Sequence, residues 1–100
     1  MKEDKLVRDK IPEIIKQKGE SCEFYIADDD EYWERLKDKL FEEINEFFEE
    51  ESKEELADVF EVLHAIVKHK KFDVEDIKKI RHEKRRKRGG FDKKIILTDF

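Results

Sequence analysis

Two long stretches of this chain repeat apolar residues with a helical period, and almost nothing separates them. In the first, about Glu31–Glu50, Trp33, Leu36, Leu40, Ile44 and Phe47 fall within about 40° of Leu40 when drawn at about 100° per residue. In the second, which runs through about His69, Leu56, Val59, Val62, Leu63 and Ile66 form the stripe. Between them, "EEESK" is a brief turn with Ser52 as N-cap. So short a turn forces the helices antiparallel. The expected fold is therefore all-α, an antiparallel helical bundle built around this hairpin.

The flanking segments fit the same plan. "RDKIPEIIKQKG" reads as a short helix with Asp9 as N-cap, Pro12 in the first turn and Gly19 as its stop. "SCEFYIA" alternates and is rich in aromatics, which predicts a short extended segment or a loop that packs its side chains. "DDD" at Asp28–Asp30 caps the first long helix, and negative charge there is favoured by the helix dipole without any metal. Asp73 caps a third helix that ends near Arg88 at Gly89–Gly90. The tail "FDKKIILTDF" is expected to pair briefly with another extended piece. No repeat or linker divides the chain, so residues 1–100 are expected to form one domain.

Charge narrows the function classes. Charged residues make up 51% of the chain and hydrophobic residues 37%, a thin core for 100 residues. Part of the apolar surface is expected to close against a second copy, giving a homodimer or homotetramer. A net charge of −5 argues against a general nucleic-acid binder. The charge is unevenly spread, acidic at 41–61 and basic in "KKIRHEKRRKR" at Lys78–Arg88. A lone cysteine, Cys22, gives no disulfide framework and fits a reducing interior. No apolar run approaches the ~20 residues of a membrane span, so a cytoplasmic protein is expected.

The acidic residues of the hairpin are oddly placed. Glu43 lies about 60° from Leu40 and Glu46 about 120° away on the same side. On the second helix Glu55 falls about 40° from Val59, and Asp58 about 100° away on the same flank. Glu42, Glu49, Glu54 and Glu61 face away. Each helix thus carries one i, i+3 carboxylate pair at the edge of its apolar surface, and an antiparallel hairpin can bring the pairs together. Four such groups repel one another and resist desolvation. A divalent cation relieves both costs, and all-oxygen ligands select a hard ion, Mg²⁺ or Mn²⁺. Two plainer causes would give the same placement. Glutamates commonly border amphipathic stripes, and Ser52–Glu55 fits the capping box S-x-x-E, which would turn Glu55 back on its own helix.

Glu42-Glu43-Ile44-Asn45-Glu46 followed by Glu55-Leu56-Ala57-Asp58 resembles the E-E-x-x-E … E-x-x-D signature of the MazG-like all-α nucleoside triphosphate pyrophosphohydrolases. "KLVRDKIPEII" at Lys5–Ile15, "EELADVFEVLHAI" at Glu54–Ile66 and "KRRKRGGF" at Lys84–Phe91 look like the small single-domain house-cleaning branch of that superfamily. Only eight residues separate Glu46 from Glu55, fewer than is usual in the family, which implies a tighter hairpin.

The resemblance implies hydrolysis of a nucleoside triphosphate, non-standard ones included, to the monophosphate and pyrophosphate. Glu43, Glu46, Glu55 and Asp58 match the family's Mg²⁺ ligands, the same four that the helical wheel selects. A metal-bound water would attack phosphorus, with Glu46 and Asp58 as candidates to take its proton. Triphosphate binding also needs cations. Lys84 and Arg88 share a helix face at i, i+4, and Arg8 and Lys10 in "VRDKIP" are the other candidates. Two alternatives remain: phosphoribosyl-ATP pyrophosphohydrolase of histidine biosynthesis, and a non-enzymatic helical module that binds nucleic acid or an acidic partner through Lys84–Arg88.

Overall fold

The computed structural model describes residues 4–100, and the secondary structure among them is entirely helical. Helix α1 spans Ile11–Gln17, α2 Asp29–Glu50, α3 Lys53–His69 and α4 Val74–Arg88. The all-α expectation holds, and the antiparallel α2–α3 hairpin is its centre.

Local chemistry accounts for the helix ends. The Asp28 side chain accepts from the Glu31 N–H at 2.9 Å, so α2 begins at Asp29, two residues before its expected start. Ser52 Oγ accepts from the Glu55 N–H at 3.2 Å, and Asp73 accepts from the Glu75 N–H at 2.9 Å. Gly89 closes α4 with φ 81°, a left-handed conformation that glycine adopts without strain. The hairpin turn is made differently. Glu51 takes the left-handed conformation (φ 51°, ψ 36°), and its N–H bonds back to the Phe47 carbonyl at 2.7 Å.

Three expectations are corrected. Lys10, not Asp9, is the N-cap of α1, and no side chain caps that helix. "SCEFYIA" does not pack its side chains: Phe24, Tyr25 and Ile26 are all exposed, with the Tyr25 hydroxyl donating to Glu31 Oε2. The tail forms no strand among the described residues, and its residues are exposed throughout.

The core lies between α2 and α3. Leu36 is 1% exposed, with Val59 and Val62 buried against it. Trp33, Leu40, Ile44, Phe47 and Ile66 are partly buried around them, while Leu56 and Leu63 of the expected stripe remain exposed. At the end of the hairpin far from the turn, the His69 ring stacks on Trp33 and meets Tyr32 edge-on. Lys70 Nζ lies 3.9 Å from the centre of the Trp33 ring. His69 is therefore a packing residue.

The N-terminal segment crosses one flank of the hairpin. Arg35 donates to the Asp4 carbonyl at 2.9 Å, Lys5 approaches Glu42 at 3.9 Å and Arg8 reaches Asp58 at 2.7 Å. Helix α4 buries no residue, and its ion pairs stay within itself or reach the following Asp92. No helix among the described residues is long and apolar enough to cross a membrane.

Candidate metal centre

The hairpin gathers the acidic pairs on one flank. Glu43, Glu55 and Asp58 each offer a carboxylate oxygen, and these atoms lie within 4.8 Å of one another. Glu43 belongs to α2; Glu55 and Asp58 come from α3, three residues apart and so on one face. The short turn at Glu51–Ser52 makes this possible, because it sets the end of α2 beside the start of α3.

Glu43 is only 7% exposed, among the least accessible charged groups of the chain. Lys39, one turn earlier, approaches its Oε1 at 3.3 Å. Its Oε2 is buried with no hydrogen-bond partner, and Glu55 Oε2 is in the same condition. That oxygen of Glu55 is thus not the reciprocal arm of a capping box. Ser52 caps the helix with its hydroxyl while the Glu55 carboxylate points toward the other acids.

Burial raises the carboxyl pKa of Glu43 above its ordinary value, with Lys39 pulling it down and the charges of Glu46 and Asp58 pushing it up. The Glu55 carboxyl is raised as well, first by desolvation and then by Glu46, Asp58 and Glu43. Glu46 stands beside Glu55 closely enough to influence it. The tight cluster itself comprises the other three residues.

Two carboxylates from neighbouring helices, each with an orphaned, desolvated oxygen, meet in this cluster, and every donor in it is a carboxylate. That combination suits a hard divalent cation, whose charge would satisfy both oxygens and reverse the pKa shifts. Exposed acids often cluster with no such role; the burial of Glu43 and the two unpartnered oxygens distinguish this group.

The basic candidates divide into two groups. Arg8 is at the centre, its Nη2 donating to Asp58 Oδ1 at 2.7 Å. Lys10 is exposed at the start of α1. Lys84 and Arg88 line a shallow groove on α4 with Lys79, Ile80, Glu83 and Lys87. No hydrogen bond or ion pair among the described residues links them to the carboxylates. Lys39, the counter-ion of Glu43, is a neighbour of the cluster that sequence reasoning missed, although its i, i+4 spacing was legible. The Asp28–Asp30 triplet serves as a helix cap and takes no part in the cluster.

No protein-family model matches the chain, and no solved structure matches it. A protein of Mycolicibacterium smegmatis (strain ATCC 700084 / mc(2)155), described as uncharacterized, is 49% identical over 41 residues, which span 41% of this chain and 42% of that protein.

Proposed function

We propose that the protein is a nucleotide pyrophosphohydrolase of the MazG-like type. It would cleave a nucleoside triphosphate, non-standard ones included, to the monophosphate and pyrophosphate with Mg²⁺, or Mn²⁺ as a substitute. The observation that carries this reading is the pair of buried, unpartnered oxygens, Glu43 Oε2 and Glu55 Oε2, within a carboxylate cluster that also holds Asp58. The sequence resemblance supplies the reaction, and the cluster supplies a fitting ligand set.

Glu43, Glu55 and Asp58 would hold the ion, with Glu46 completing the set. When bound, the ion neutralises phosphate charge and lowers the pKa of a coordinated water. The chain's own residues do the rest. Glu46 and Asp58 would accept the proton of the attacking water, and the phosphoric anhydride bond would break as pyrophosphate leaves. Arg8, which lies against Asp58 and is exposed, can turn its guanidinium to the phosphates. Lys10, Lys84 and Arg88 would add positive charge around the triphosphate, the last two from a neighbouring subunit of a homodimer or homotetramer.

A panel of standard and damaged nucleoside triphosphates, together with phosphoribosyl-ATP, screened for pyrophosphate release with Mg²⁺ and with chelator, tests the proposal. Release is expected with at least one nucleotide, only with metal, and lost in Glu55→Gln at unchanged helix content. Preference for phosphoribosyl-ATP would assign the protein to histidine biosynthesis. Full activity in Glu55→Gln sinks the metal centre. No release from any substrate, with salt-sensitive binding of RNA or DNA through α4, would leave a non-enzymatic helical module.

A further inference from the structure

The acids of α2 gather on one flank of the helix. On a helical wheel centred on Leu36, Glu43, Lys39, Glu46 and Glu42 lie about 20°, 60°, 80° and 120° to one side. Phe48 and Phe41 lie about 120° and 140° to the other and are exposed. About the helix axis, Lys39 therefore stands between Glu43 and Glu42.

Its contacts follow from that position. Lys39 Nζ lies 3.3 Å from Glu43 Oε1 and 3.4 Å from Glu42 Oε2. The side chain is 17% exposed, the least of any cation in an ion pair among the described residues. Two costs attend this arrangement. An ammonium withdrawn from water loses hydration, and a long stem held in one arrangement loses rotamer freedom. The helix gains little to offset them, because a lysine four residues before a glutamate is the weaker order of such a pair.

The effect on Glu43 is asymmetric. Lys39 engages Oε1, while Oε2 of the same carboxylate is buried with no partner. A carboxylate held by one oxygen is restrained from swinging out to water, and its other oxygen stays available to a ligand. Glu42 stands outside the tight cluster and takes the other side of the ammonium, with Lys5 3.9 Å from its Oε1. The charge of Lys39 is thus balanced by a carboxylate that is not a member of the cluster. Its repulsion of a cation held by Glu43, Glu55 and Asp58 is offset accordingly.

We propose that Lys39 is the positioning residue of the metal centre. By pairing with Glu43 Oε1 it holds that carboxylate in the cluster and keeps Oε2 free for a divalent ion. The inference rests on the metal-dependent reading of the proposed function. It concerns binding of the ion alone, so it is tested without nucleotide. Removing a group that orients a metal's ligand typically weakens binding by about 10–100-fold.

Mn²⁺ titrated into the nucleotide-free protein, with free ion followed by electron paramagnetic resonance, gives the dissociation constant. In Lys39→Met, which keeps the apolar stem, that constant rises about 10–100-fold at unchanged helix content. Lys39→Arg keeps a cation within reach of Glu43 and recovers most of the affinity. Glu42→Gln leaves the Lys39–Glu43 pair in place and loses less than Lys39→Met. A lysine that served only the fold would lower the melting temperature in chelator when replaced, yet leave the constant unchanged. If Lys39→Met loses its helices, Lys39→Gln is measured instead and shows a rise in the same direction. Equal or tighter Mn²⁺ binding in a folded Lys39→Met or Lys39→Gln protein overturns the proposal. So does a Lys39→Arg protein that binds no better than Lys39→Met. Either result leaves the pyrophosphohydrolase reading standing, whereas a wild type that binds no Mn²⁺ overturns both.

Discussion

Arg8 Nη2 donates to Asp58 Oδ1 at 2.7 Å, joining the N-terminal segment to α3 across 50 positions of sequence. Both side chains are more than one-third exposed, so water screens the pair and it contributes about 0–1 kcal/mol. The contact places an exposed cation beside the carboxylates more than it stabilises the fold.

Arg8→Ala separates these roles. The unfolding free energy in urea is expected to fall by no more than ~1 kcal/mol. Under the proposed function, kcat/KM for pyrophosphate release falls by about 10–100-fold, through lost phosphate contact. Activity that falls only in step with stability would reduce Arg8 to a tether.

The carboxylate cluster makes the metal-free protein sensitive to pH. Glu43 and Glu55 hold their protons more tightly folded than unfolded. The folded state therefore binds extra protons above the ordinary glutamate value of 4.5. Stability falls as pH rises through that window, and the loss persists above it. Glu55→Gln removes one of these charges. In chelator its Tm should match the wild type near pH 4 and exceed it by a few degrees at pH 7, and Mg²⁺ should narrow the gap by stabilising only the wild type. A Tm difference that does not change with pH would mean that the crowding of charges has been misread.

Glu51→Gly tests the turn that aligns the helices. Glu51 occupies the left-handed region, where a side chain is strained by about 1–2 kcal/mol, and it adds negative charge at the end of α2. Glycine relieves the strain but has more freedom to lose on folding, so a net gain of roughly 0.5–1 kcal/mol is expected from urea unfolding. A loss of stability would show that the Glu51 side chain has a role in the turn that outweighs its backbone strain.

Much of this was legible before any coordinates. The periodicity of Leu36, Leu40, Val59 and Val62 gave the hairpin, and Asp28, Ser52 and Asp73 marked three helix starts through a single local hydrogen bond each. The i, i+3 pairs singled out Glu43, Glu46, Glu55 and Asp58, and the structure brings all but Glu46 into the tight cluster. Less local features were misjudged. The aromatics of "SCEFYIA" suggested packing, but a side chain is buried only where a neighbouring element arrives to cover it, and none does.

By itself, the sequence determined which residues share a face within each helix, because 3.6 residues per turn fixes every side chain's direction about its own axis. It therefore settled that an acid flank and an apolar flank exist. Only the tertiary structure decided how far α2 slides along α3, and hence that Glu43 rather than Glu46 joins Glu55 and Asp58 in the tight cluster. It alone brought Arg8 to Asp58 and left Phe48 and Phe60 uncovered. These outcomes depend on the axial offset of two helices and the path of a distant segment, which packing sets and no local periodicity encodes.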